Sequence, residues 1–460
     1  MRRKYGKILC VFLAGLFLNF TGIARGDDVK THYISSKPLV LHSLPSEDPY
    51  TEYDSAEIFA DANNNIIVLS SFGFSNGERD EKRMSLFVSD GRTWVNSESI
   101  LPQYTDWHRM VNNGIFQAYT VNIPQIEDRS HVQKVSVYNL TRDMRLFSEP
   151  AQIIEMDENK KAFKQEGSRV IMKLLPSRGN PNKFFILGYY TEYSLNPLDL
   201  IRRVTSAGHW GFVTKPFLTT VEQNKITGYY TTSEKLEINE NSGELGISLV
   251  KGAKIHHVGI KYREYCNNPP VIQYSSFDLF KNNWTEPVEL FKGYKRSEEI
   301  FDSFSIPSLA CYNGNFYCAW SWTVVDTATN DRHALPKDSG VYFCNKTNDQ
   351  WNKPIKIADL GILPQVFVDS YGTVYIFWID RGKGLSYKYK TPTGWSDTFL
   401  AVKDAAIRTK ETDLPVSPVS PFGIAVDKDN NFHVIYIRET VRKNKATEDL
   451  VYVNLKCTKR

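Results

Sequence analysis

Short apolar runs recur along the chain between clusters of Asn, Asp and Gly. Residues 56–61 turn at Asn63, Asn64 and Asn65 into 66–69, and residues 307–312 turn at Asn313 and Gly314 into 315–320. Residues 364–369 and 373–378 flank Ser370, Tyr371 and Gly372, and residues 422–427 and 432–437 flank 428–431. Asn-Gly between two such runs predicts a β-hairpin, because both central residues of a type I′ turn need positive φ. A third run follows each hairpin, at 84–88, 340–344, 384–389 and 450–454. No heptad or sustained helical period competes with this pattern, and an aromatic content of 13% favours strands. The chain is predicted to be all-β.

A tail follows the third run: an aromatic residue, two small or polar residues, usually a proline, then alternating apolar positions. Copies begin at Phe147, Trp284, Trp351 and Trp395, with Pro150, Pro287 and Pro354 in three of them, and looser copies begin at Trp94 and Trp210. Proline suits an outer strand, whose donors have no partner to lose. One such four-stranded unit cannot bury its own apolar face and must stack on its neighbours, which predicts a β-propeller. Less punctuated units are expected at Met110, Val111, 115–121 and 135–138, then at 170–175, 184–190 and 200–204, then at 245–249, 256–262 and 271–277. The last unit reaches Cys457 without a tail, whereas residues 37–41 read as a tail with no strands before them, like 286–290 and 353–357. The N-terminal strand is therefore expected to complete the last blade of a seven-bladed propeller. Six blades is the count if the irregular middle holds one unit fewer, and a β-sandwich is the alternative architecture.

Residues 1–26 are expected to lie outside the fold. Arg2, Arg3, Lys4 and Lys7 precede an apolar run at 8–20, and Ala24 and Gly26 place small residues at the −3 and −1 positions of a cleavage site. This has the form of a secretory signal peptide, too short for the roughly 20 residues that cross a bilayer. Cys10 lies inside the run, which argues against a lipoprotein signal. One exported domain, 27–460, secreted or periplasmic and without stable membrane insertion, is expected. A net charge of +4 without a basic cluster argues against a nucleic-acid partner. Cys266, Cys311, Cys318, Cys344 and Cys457 are too few, and odd in number, for disulfides to be the main support. No spacing suggests zinc, and no metal or cofactor is expected. Triplets beginning at Asn139, Asn283 and Asn345 match glycosylation acceptors of a eukaryotic secretory route.

The turn Ser89, Asp90, Gly91, Arg92, Thr93 and Trp94 is a shortened version of the Ser-x-Asp-x-Gly-x-Thr-Trp pattern, and the turns before Trp284, Trp351 and Trp395 keep the tryptophan. On these residues the unit resembles the sialidase-like propellers that carry BNR, or Asp-box, repeats. The resemblance covers most of the chain after residue 26 at the level of architecture. The absence of a Phe-Arg-Ile-Pro segment departs from sialidases proper and puts sialic acid in doubt. The tryptophans read as packing between blades.

In a propeller, the starts of first strands and the second-to-third connections converge on the axis. The first group carries Asp54, Trp107, His108, Arg109, Arg169 and Asp302. The second carries Tyr190, Glu192, Asp326, Arg332, His333, Asp380, Arg381, Arg438 and Glu439, with Trp320 and Trp322 beside them. Forked guanidinium donors with aromatic faces suit an anionic glycan. His108 is the candidate proton carrier, and Asp54, Asp302 and Glu192 are candidate carboxylates for glycoside cleavage. A lyase would instead use Arg109 or Arg381 to neutralise a uronate while His108 or a tyrosine removes the adjacent proton. The expected function is an exported glycoside hydrolase or polysaccharide lyase acting on acidic glycans at one composite axial site. A glycan-binding propeller without chemistry, or a protein-interaction scaffold, is the alternative. His256 and His257 fall in one strand and should face opposite sides, which argues against a joint metal site.

Overall fold

The computed structural model describes residues 32–45, 53–61, 63–75, 80–101, 105–112, 115–122, 132–139, 152–157, 171–176, 183–193, 212–223, 230–232, 236–237, 245–251, 253–261, 269–281, 283–294, 300–326, 338–359, 361–380, 383–391, 393–405, 422–442 and 445–458. Among the described residues the fold is all-β, with antiparallel sheets of four to six strands that succeed one another along the chain. The first sheet runs Tyr53–Ala60, Ile66–Ser75, Asp80–Ser89 and Trp94–Leu101. The second runs Thr105–Asn112, Ile115–Asn122, Val132–Asn139 and Gln152–Asp157. The fourth unit expected from sequence is present as Leu245–Lys251, Lys254–Lys261 and Val271–Asp278, closed by Asn283–Trp284 and Val288–Lys292.

The unit between these differs from expectation. Its third strand is Phe212–Gln223, paired with Lys183–Tyr193 along its whole length, so Pro216 stands opposite Tyr189 inside a ladder and not on an outer strand. The β-branched and aromatic run after Pro216 is long enough to carry a full pairing, which a local tail motif does not report. Residues 200–204, expected as that strand, lie outside the described residues, as does the tail beginning at Phe147.

The last three sheets show why their sequences are almost continuously apolar. Hydrophobic clusters straddle consecutive sheets, so the inner strands pack on both faces. In Val374–Asp380, Tyr375 and Phe377 meet Phe422 and Phe432 of the next sheet, while Ile376 and Trp378 meet Tyr317 and Phe343 of the preceding one.

Hairpins fix the ends of these strands. Asn313 and Gly314 both adopt positive φ (48° and 82°), as a type I′ turn requires. Three other hairpins share an aspartate cap. Asp61, Asp369 and Asp427 each accept backbone N–H groups two and four residues on with one carboxylate oxygen, at 2.7–2.9 Å. The residue three after each aspartate has positive φ: Asn64 (62°), Gly372 (86°) and Asn430 (62°). Successive hairpins are tied together. Tyr312 donates to the Ser370 carbonyl at 3.0 Å, Ser370 N–H to Asn430 at 2.9 Å, and Asn64 to Asp429 at 2.7 Å.

The last sheet combines Phe422–Val426, Phe432–Arg442 and Lys445–Thr458 with two N-terminal strands, His32–Ser35 and Leu39–Pro45. Leu39 stands opposite Tyr452 and Tyr33 opposite Cys457. The register slips between Val40 and His42, and equivalent bulges occur on the outer strands of the sheets that contain Val288, Ile355 and Phe399. The N-terminal segment therefore occupies the outer-strand place, as residues 37–41 suggested.

The tail aromatics pack between sheets. Trp351 meets Tyr274 and Trp395 meets Phe343, each of the preceding sheet, and Trp94 of the first sheet meets Tyr452 of the last, all at 4.8–5.1 Å between ring centroids. Tyr33 takes the same place for the last sheet, edge-on to Tyr375, Tyr387 and Phe432. Phe432 is fully buried where these rings converge. Phe432→Ala is expected to lower stability by about 3–5 kcal/mol, measured from the shift in a urea unfolding curve. Val95→Ala, on an exposed outer strand, should stay within about 0.5 kcal/mol of the parent.

Candidate functional site

Antiparallel order puts the start of each first strand and the end of each second strand at the same edge of its sheet. The most charged cluster described lies at this edge of the last sheet. Arg438, near the end of Phe432–Arg442, stands opposite Asp449 in the ladder. Its Nε and Nη2 donate to Asp449 Oδ2, each at 3.3 Å, and its Nη1 donates to Asp404 Oδ2 at 2.7 Å. Asp404 follows the last strand of the preceding sheet, so this guanidinium bridges two sheets. Tyr436, two residues before Arg438 and on the same face, donates to Asp404 Oδ1 at 2.7 Å.

The two carboxylates differ in environment. Asp449 is completely buried and fully engaged: Ser43 Oγ donates to Oδ1 at 2.6 Å and Thr440 Oγ1 to Oδ2 at 3.1 Å, beside Arg438. Ser43 belongs to the N-terminal strand, so completing the sheet also completes this site. Asp404 keeps 45% of its side chain exposed. Partial burial alone would push its carboxyl up, but the hydrogen bonds from Tyr436 and Arg438 outweigh burial and hold it below the usual carboxylate range. Burial and the neighbouring Asp404 push the Tyr436 phenol up, keeping it a donor at neutral pH. The cluster thus presents an ionised carboxylate on a rigid support. On the other face of the same strand, Glu448 is buried and accepts the Tyr53 N–H at 3.4 Å, and the Tyr53 hydroxyl pairs with His42 Nδ1 at 2.7 Å.

Of the residues expected to form the site, Arg438 is in this cluster, and its guanidinium is already shared by two carboxylates. Asp54 lies at the start of Tyr53–Ala60, and Asp302 lies within Ile300–Phe304 opposite Val324. Trp107, His108 and Arg109 lie within Thr105–Asn112, opposite Thr120, Tyr119 and Ala118. Tyr190 and Glu192 close Lys183–Tyr193, opposite Lys215 and Val213. Arg169 and Arg381 lie outside the described residues, as do Arg332 and His333. Trp320 and Trp322 were expected beside an opening. They are instead core side chains, 0% and 5% exposed, packed on Phe291 and Tyr342 between sheets. Asn345, the first residue of one glycosylation triplet, is buried and accepts a hydrogen bond from Asn352, so it offers no free acceptor surface. Among the described residues no group of three or more His, Cys, Asp and Glu side chains is placed to hold a metal ion.

A second polar pattern repeats, and it is buried. His256 Nδ1 pairs with Tyr274 at 2.7 Å, and His433 Nδ1 with Tyr452 at 2.7 Å. Each histidine is on a second strand, each tyrosine on the adjacent third strand, and each tyrosine carries a tail tryptophan of another sheet, Trp351 on Tyr274 and Trp94 on Tyr452. Asp427 accepts the other nitrogen of His433 at 3.0 Å, whereas His256 has Lys346 and Lys254 nearby. Its imidazole is pushed down to about 4, by burial first and by those lysines second. His257 faces the other way, toward Trp284.

No known protein family and no curated protein matches this sequence. Among solved structures it is similar to a Dyadobacter fermentans protein of unknown function, with a TM-score of 0.45 and 11% identity over 91% of this chain and 99% of that chain. It is also similar to the GH93 α-L-arabinofuranosidase of Fusarium graminearum solved with arabinobiose (TM-score 0.40, 11% identity, 90% of this chain and 98% of that one). A third is the β-propeller domain of the Trilobed protease from Pyrococcus furiosus (TM-score 0.41, 10% identity, 87% and 97%).

His256 gives this region a defined acid response. Its folded pKa of about 4 lies below the ordinary 6.5, so protonation favours the unfolded chain. Its contribution is fully present above about pH 6.5, declines as pH falls toward 4, and totals about 3 kcal/mol. His256→Gln should flatten the stability profile across that window, measured by urea unfolding at a series of pH values.

Proposed function

We propose that this chain is an exported, carbohydrate-active β-propeller of the sialidase-like type. In this reading residues 1–26 are removed on export, and seven sheets form seven blades with the N-terminal strand closing the last. The protein is a glycoside hydrolase or polysaccharide lyase that acts on acidic glycans at one composite axial site. The observation that carries the reading is the Asp404–Arg438–Tyr436 cluster: an ionised, half-exposed carboxylate braced at the edge of its sheet that corresponds, in other sheets, to the edge near Asp54 and Glu192. Glycoside cleavage needs one carboxylate kept ionised and a second group able to give a proton. Asp404 suits the first role. His108 or one of Asp54, Asp302 and Glu192 supplies the second, and Arg109, Arg169 and Arg381 remain to meet the sugar's own carboxylate or sulfate. The repeated polar elements, the capped hairpins and the His-Tyr pairs, are used in packing, which favours one composite site over a row of equivalent sugar pockets.

The test is product release from uronic-acid, sialylated and neutral glycans by the parent protein, Asp404→Asn and His108→Ala. Cleavage of an acidic glycan by the parent, reduced about 10²-fold or more in both variants, is the expected result. No release from any glycan would remove the enzymatic reading and leave a binding protein. Release by the parent that survives both substitutions would place the chemistry elsewhere.

A further inference from the structure

Cys318 and Cys344 stand directly opposite each other on the central strands Asn315–Asp326 and Gly340–Thr347. Residues facing each other across an antiparallel ladder have Cα atoms about 4.5–5.5 Å apart, inside the roughly 4.4–6.8 Å that a disulfide spans. The side chains leave the same face of the sheet, and both belong to the cluster that packs against Val258, Ile272 and Tyr274 of the preceding sheet. In this structure both are free thiols. Both residues are buried, 0% and 1% exposed. Among the described residues no other cysteine stands opposite a cysteine: Cys311 faces Phe316, and Cys457 faces Tyr33.

We propose that Cys318 and Cys344 are an oxidation site, joined as a cross-strand disulfide while the chain folds. The biological setting rests on the export reading above; the chemistry does not. The co-reactant is a small-molecule or protein disulfide. One cysteine thiolate attacks a sulfur of that disulfide, giving a mixed disulfide and releasing one thiol. The second cysteine then attacks the protein sulfur of the mixed disulfide, the Cys318–Cys344 bond forms, and a second thiol leaves. Two electrons pass to the co-reactant, and the two protein protons end on its released thiols. Access dictates the order of events. Burial pushes the Cys318 thiol up, and no oxidant reaches it once the preceding sheet is in place. The exchange therefore belongs to the open hairpin, before the two sheets pack.

The experiment refolds the reduced, denatured chain from residue 27 with oxidised and reduced glutathione, then blocks free thiols in denaturant and maps peptides without reduction. A parallel sample is the protein collected after export from an expressing cell. The expected result in both is a linked peptide pair containing Cys318 and Cys344, two hydrogens lighter than the separate peptides. In the folded state the link should resist dithiothreitol, and in denaturant it should yield. C318A should leave Cys344 alkylated in full, and C318A/C344A, apolar at both positions, should give no such link. Recovery of both thiols free from chain that has refolded with oxidised glutathione would overturn the proposal, as would a link from either cysteine to Cys266, Cys311 or Cys457. A link after refolding but free thiols after export would uphold the site and count against the export reading instead.

Discussion

The fold depends on one antiparallel pairing, that of Leu39–Pro45 with Lys445–Thr458. It joins groups as distant as Ser43 and Asp449, 406 residues apart. Closing a loop of that length costs about 5 kcal/mol in chain entropy, because the cost rises only with the logarithm of length. Apolar burial along the two N-terminal strands offsets a loss of this size. Leu44 is buried against the first sheet, Tyr33 packs on three rings of the sixth and last sheets, and each fully buried apolar side chain contributes about 1.5–3 kcal/mol. It also provides the Ser43 hydroxyl that Asp449 needs if its buried charge is to stay satisfied.

The remaining sheets cohere by two different means. Between their faces, large side chains from neighbouring sheets interleave, so the inner strands of the last sheets are buried on both sides. At one edge, the capped hairpins pass hydrogen bonds from Tyr312 to Ser370, to Asn430, and then from Asn64 back to Asp429. The first means is non-directional and tolerates small shifts. The second is directional and fixes how far one sheet slides along the next. At the opposite edge the Arg438 bridge to Asp404 does the same work with charge.

Much of this was legible in the sequence. Asn313-Gly314 announced its turn, and the tail at 37–41 announced an orphan outer strand, because both signals are local and stereochemical. Tyr33 was not recognised as the aromatic of that tail, since four residues separate it from Pro38 where two separate Trp351 from Pro354. The strand Phe212–Gln223 was misplaced because Lys215-Pro216 imitates a tail, and only a long-range partner decides the matter. Trp320 and Trp322 were assigned to an opening by their place near a strand end. Two-sided burial removes the alternation that would have shown which face each one takes. Asp404 and Asp449 were passed over for a simpler reason: a single aspartate carries no pattern, and its importance comes wholly from Arg438, Tyr436 and Ser43.

The shared last sheet also sets the timetable of synthesis. Ser43 leaves the ribosome before almost all the rest of the fold, while Asp449 emerges 406 residues later. At about 5–20 residues per second, the early strand waits roughly 20–80 s for its mate. During that interval Tyr33 has none of its ring partners, since Tyr375, Tyr387 and Phe432 are still to be made. A factor that shields nascent chains, or a translocation channel that holds the segment extended, would matter most to this strand and least to the self-contained sheets that mature behind it.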